Sequence, residues 1–94
     1  MDELMKDRIF VLAFVHTEWI DGEKVYERRE NREAFTDVIE AYKAAEHEAE
    51  RMIYAYENNH FDVIDSEPTI GLVRYKNNYV RGAWNFYVDE LRVF

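Results

Sequence analysis

Apolar and polar positions alternate in a way that divides this chain into two β regions around one helix. Over residues 8–20 both alternating sets are apolar in the first half, with Ile9, Val11, Ala13 and Val15 on one side and Phe10, Leu12 and Phe14 on the other. A strand buried on both faces reads this way. Polar residues enter at His16 and Glu18, Asp21-Gly22 has the composition of a tight turn, and Lys24-Val25-Tyr26-Glu27 opens a second strand. The first unit predicted is therefore a β-hairpin over residues 8–29.

A long amphipathic helix is predicted over residues 31–59. Phe35, Val38, Ile39, Tyr42, Ala45, Ala49, Met52, Ile53 and Tyr56 recur at steps of three and four. Asn31 is suited to cap its start, Glu33 falls in the first turn near the positive end of the dipole, and Asn58-Asn59 suits its end. At ~1.5 Å per residue such a helix is about 40 Å long, against ~23 Å for a seven-residue strand, so one end is expected to overhang the sheet.

Residues 61–64 read as a short edge strand and 65–68 as a loop, followed by a second hairpin over residues 69–94 that turns at Asn77-Asn78. A two-residue turn there sets Tyr75 opposite Val80, Val73 opposite Gly82, Gly71 opposite Trp84 and Thr69 opposite Phe86. The same register sets Arg74 against Arg81, a like-charge pair that needs a nearby anion, with Glu18 or Glu27 of the first hairpin as candidates. Asp89-Glu90 interrupts the apolar end of the chain and predicts a bulge or bend. The fold class expected is α+β: one domain over residues 1–94, with an antiparallel sheet of four to five strands in ββαββ order packed on one long amphipathic helix.

Composition sharpens the picture in three places. With 48% apolar and 16% aromatic residues in 94, the chain is a folded domain and not a disordered acidic one. One helix on one sheet cannot hide that much apolar surface. Either another chain is expected over the uncovered face or the overhanging helix end, or residues 1–6 and 61–68 fold back across that face. A net charge of −8 disfavours direct contact with nucleic acid or an anionic membrane. The acid is concentrated on the helical segment, where Glu33, Asp37, Glu40, Glu46, Glu50 and Glu57 are candidate contacts for a partner with a basic surface. Arg74, Tyr79 and Arg81 are the candidates for an acidic one.

Candidate catalytic chemistry is sparse. Without cysteine there are no disulfides, thiolate metal sites or sulfur nucleophiles. The lone serine, Ser66, has no nucleophile elbow around it, and no glycine-rich phosphate loop occurs. His16, His47 and His60 share no metal spacing, and Glu46-His47-Glu48-Ala49-Glu50 reads as a solvated helix face. The apolar run of residues 9–15 is too short to span a bilayer and follows a mixed-charge start, so a cytoplasmic protein is expected. Neither enzymatic activity nor a cofactor is expected. The functional expectation is a small acidic protein-binding module that inhibits a host or defence nucleoprotein by surface occlusion, as phage-type anti-CRISPR proteins and nucleic-acid mimics do. Two alternatives are a small-ligand protein or enzyme, with a helix–sheet pocket lined by Tyr residues and His16, and a structural homodimer subunit.

Overall fold

The computed structural model describes residues 8–92 as a five-stranded antiparallel sheet with one helix laid across it. In chain order the elements are β1 (Arg8–Ile20), β2 (Glu23–Phe35), α1 (Val38–Glu57), β3 (Asp62–Glu67), a 3₁₀ turn (Pro68–Ile70), β4 (Leu72–Lys76) and β5 (Arg81–Arg92). The strand order is β2-β1-β5-β4-β3, so β1 and β5 lie inside the sheet and β2 and β3 form its edges. The class is the α+β class expected, with the order ββαβββ in place of ββαββ.

The first hairpin is longer than predicted. Asp21 and Gly22 form its turn with φ of 53° and 81°, and β2 then follows β1 as far as the pair Phe10 and Phe35. Asn31 and Glu33, expected in the helix, are strand residues facing Ala13 and Leu12. The segment 30–34 is rich in helix formers, but a neighbouring strand of 13 residues gives it a ladder partner, and tertiary pairing overrides local propensity. Irregularities between Leu12 and Ala13 and between Glu18 and Trp19 break the regularity of the long, charged β2 edge, a feature that opposes edge-to-edge association. Two 13-residue strands also elongate the molecule to 55 × 23 × 16 Å. Its radius of gyration is 15.5 Å, against about 12 Å for a compact domain of this length.

Helix α1 starts seven residues later than predicted. Its N-cap is Asp37, whose carboxylate accepts a hydrogen bond from the Ile39 amide at 2.8 Å. Replacing Asp37 by Ala is expected to cost about 1 kcal/mol, read as a lower urea midpoint with an unchanged slope. At the other end Asn58 caps the helix as expected, donating from its side chain to the Tyr54 carbonyl at 2.8 Å, while the left-handed residue is His60. Twenty residues give a helix of about 30 Å, not 40 Å.

The core lies between α1 and one sheet face. Leu12, Phe14, Val73 and Phe86 from the strands pack on Ala45 and Ala49 from the helix. The alanines let the helix approach the sheet closely. Ile39 and Tyr42, expected on the buried stripe, are mostly exposed because Ala41, between them on the same turn, is the residue that faces the sheet, which turns both of them outward.

The second hairpin is shifted by two residues from the predicted register. Tyr75 faces Gly82 and Val73 faces Trp84. The connection has four residues because the Asn77 carboxamide oxygen accepts from the amides of both Tyr79 and Val80 at 2.8 Å. A shift of two keeps every side chain on its predicted face. It replaces the expected Arg74–Arg81 opposition with Arg74 facing Ala83 and Lys76 facing Arg81. Thr69 belongs to the 3₁₀ turn, and Asp65, Ser66 and Glu67 extend β3 instead of forming a loop. β5 pairs with β1 without a bulge through Asp89 and Glu90.

None of the described elements packs on the sheet face opposite α1. Residues 61–68 do not fold over it, because 62–67 are the edge strand β3; residues 1–6 lie outside the described residues. Along β1 this face carries Ile9, Val15, Thr17 and Trp19 as half-buried residues, alternating with the core-facing set, while Val11 and Ala13 between them are buried. At its turn end Lys24, Trp19, Arg81, Lys76 and Asp62 form one row across all five strands.

Candidate functional site

Three groups of side chains were candidates for function, and the fold separates them. The first surrounds His16. The Tyr75 hydroxyl lies 2.5 Å from the Glu18 carboxylate and 2.6 Å from His16 Nε2. A carboxylate only accepts, so the phenol donates to Glu18, and His16 must donate to the phenol from Nε2. Tyr75 is fully buried, stacked on Tyr56 at 3.8 Å, while Trp84 stacks on His16 at 4.0 Å and donates to the Tyr56 hydroxyl at 2.9 Å. These rings fill the space between helix and sheet where a Tyr-lined pocket was an alternative expectation. His16 is a half-buried residue held by a hydrogen bond and by stacking, and Glu18 is engaged by Tyr75 instead of by an arginine of the second hairpin.

Burial pushes the His16 pKa below its ordinary value, with Glu18 opposing the shift and Arg28 adding to it. Burial and the bond to Glu18 push the Tyr75 phenol upward, so it stays protonated. A histidine whose folded-state pKa is depressed contributes stability that is present above its unfolded pKa, near 6.5, and is lost as pH falls through the folded value. The difference in stability between wild type and His16→Gln is therefore expected to depend on pH below about 6.5 and to be flat above it. Urea titrations of both proteins from pH 7.5 to 5, about one unit above to one and a half below that value, check this. Parallel curves contradict it.

The second group is the set of acids. Asp37 is occupied as the helix cap, and Glu33 lies on β2 beside a cleft of about 480 Å³ between β2 and α1. On the helix Glu46, Glu50 and Glu57 fall within about 40° of one another around the axis and span about 16 Å, whereas Glu40 is about 80–120° away from them. The six acids thus do not form one flank; three of them do. Glu48, which sequence reasoning left among solvated residues, is buried and accepts from Arg32 at 2.9 Å and from Arg51 at 2.6 Å. Its spacing of three from Ala45 and four from Met52 puts it on the apolar stripe, and that was the available signal. Bridging β2 to α1, it pairs with two cations on the opposite side of the helix from the acidic flank.

The third group is cationic. Arg74 and Arg81 are exposed on the uncovered sheet face, and Tyr79 is 78% exposed in the β4–β5 connection. Neither arginine is ion-paired among the described residues, whereas Lys24 and Arg29 both pair with Glu27, at 2.9 and 3.1 Å. The two bonds depress the Glu27 pKa.

Counted by face, charge is segregated. The uncovered sheet face carries five cations (Lys24, Arg29, Arg74, Lys76, Arg81) and four carboxylates (Glu27, Asp62, Glu67, Asp89). With a chain total of −8, that leaves −9 on the helix side, the turns and the ends. Among the described residues no group of three or more His, Cys, Asp or Glu is placed to hold a metal ion, and no helix is long and apolar enough to cross a membrane. Comparison with protein-family models, with curated proteins and with solved structures finds no match to this chain.

Proposed function

We propose that this chain is a small acidic, non-enzymatic protein-binding module that occludes a basic surface on its partner, in the manner of phage-type inhibitors of host or defence nucleoproteins. The observation that carries this reading is the distribution of charge: the sheet face opposite α1 is nearly neutral, while α1 and its cap carry six carboxylates (Asp37, Glu40, Glu46, Glu48, Glu50 and Glu57) against two cations (Lys43 and Arg51). Glu46, Glu50 and Glu57 supply three carboxylates along one helix flank, spaced to meet a row of cations on a partner. Such complementarity mainly sets association rate and specificity. A nucleic acid, as a polyanion, is repelled by the same surface. The filled space around His16 and Tyr75 offers a small ligand no cavity there.

The test is capture by the immobilised protein from a lysate of its source organism, with a Glu46→Lys/Glu50→Lys/Glu57→Lys variant alongside. A partner retained by the wild type and lost from the variant is the expected result. A partner retained equally by both contradicts the acidic-flank reading.

A further inference from the structure

On the flank of α1 that meets the 3₁₀ turn, a cleft of about 280 Å³ opens between the helix, that turn and β5. Ala45, Gly71 and Phe86 line it as buried residues, while Tyr42 and Ile70, which also line it, are 58% and 61% exposed. Ile39, 62% exposed, lies one turn before Tyr42 on the same side of the helix. Large apolar side chains exposed together around a cleft mark an interaction site.

We infer that this cleft takes an apolar side chain from the same basic segment whose cations meet Glu46, Glu50 and Glu57, an inference that rests on the acidic-flank reading. The helix sets the two features side by side. Ile39, Tyr42 and Glu46 fall within about 60° of one another around the axis, and Glu46 follows Tyr42 by one turn. Glu46, Glu50 and Glu57 make no ion pair among the described residues, whereas Glu40 pairs with Lys43 and Glu48 with two arginines. Unpaired carboxylates beside an apolar cleft favour a ligand that is cationic and apolar at once. A neutral partner gains nothing from the acids, and a cation without an apolar anchor leaves the cleft to water.

Spacing narrows the ligand further. Along the axis Tyr42 precedes Glu46, Glu50 and Glu57 by about 6, 12 and 22 Å, at ~1.5 Å per residue. An extended segment rises ~3.3 Å per residue and turns every second side chain to the same side. The segment that matches is an apolar residue with lysine or arginine about two, four and six positions away. A side chain of leucine size buried in the cleft contributes about tenfold or more in affinity.

Two synthetic peptides test the inference, each carrying three lysines at alternate positions and differing only in a leucine or a serine two residues before the first lysine. In amide NMR titrations at low salt the protein is expected to bind the leucine peptide at least tenfold more tightly. Shifts at Ile70, Gly71 and Phe86 are expected with the leucine peptide alone. Tyr42→Ser combined with Ile70→Ser, both at exposed positions, is expected to abolish the difference and leave the serine peptide's affinity unchanged. Glu46→Lys/Glu50→Lys/Glu57→Lys is expected to weaken both peptides, and a circular dichroism spectrum like that of wild type shows that each variant is folded. Equal affinity for the two peptides, or a leucine advantage that survives the loss of Tyr42 and Ile70, overturns the inference and leaves the acidic flank standing if charge reversal still weakens binding. Failure of the leucine peptide to bind overturns the inference as well. Charge reversal that changes neither affinity overturns the acidic-flank reading, and this inference with it.

Discussion

Gly82→Ala is expected to lower stability by about 3–5 kcal/mol, a large part of the total for a domain of this size. A Cβ at position 82 would sit 2.0 Å from Cζ of Tyr75 and 2.2 Å from its hydroxyl. The ring has nowhere to go. Tyr56 stacks on it, Phe61 meets it edge-on at 5.3 Å, and its hydroxyl is held by Glu18 and His16. Overpacking costs about 1–3 kcal/mol by itself, and displacing the phenol leaves its buried hydrogen bonds unmade at a similar cost. Urea unfolding followed by tryptophan fluorescence reads both, because Trp84 packs on His16. Recovery of part of the loss by adding Tyr75→Leu is the signature of a steric cause. An unchanged midpoint for Gly82→Ala contradicts the packing described.

Gly71→Ala is expected to be comparably damaging for a different reason. Gly71 has φ of +75°, where a side chain is strained, and an added Cβ would lie 2.1 Å from the Phe86 carbonyl oxygen. That neighbour is backbone of a central strand and cannot swing aside. Gly71 also accepts from the Phe86 amide at 2.8 Å, a bond that ties the 3₁₀ turn to β5 beneath the helix. Relieving the clash means breaking it, so a loss of about 3–5 kcal/mol is expected. Gly22→Ala is the control: its φ is also positive, at +81°, but nothing lies within 4 Å, so only the conformational cost of about 1 kcal/mol applies. Equal losses for the two variants contradict this account.

These glycines mark how far the fold was legible in the sequence. That glycines would lie beside bulky rings followed from the second hairpin's alternation, and a two-residue register error preserved it because strand faces repeat every two residues. The register itself depended on the Asn77 side chain, whose two hydrogen bonds to the backbone no hydrophobic pattern records. The central strand, the Asp21-Gly22 turn and the body of α1 were legible because periodicity, turn chemistry and capping agreed. Residues 31–35 were not, since their helix-forming composition is outweighed by a partner strand distant in sequence. For the candidate surfaces, charge counted along the chain placed six acids on one helix, whereas pairing of strands puts Glu33 on β2 and consumes Asp37 as a cap. The near-neutral sheet face was invisible until the registers placed Arg29, Arg74, Lys76 and Arg81 on it.

The acidic flank is tested most directly by the dissociation constant of the captured complex, measured by calorimetry from low to high salt for wild type and for Glu46→Lys/Glu50→Lys/Glu57→Lys. Affinity is predicted to fall steadily as salt screens the flank, and to drop about a hundredfold in the reversed variant at low salt. Affinities that neither salt nor charge reversal moves would contradict the acidic flank as the binding surface.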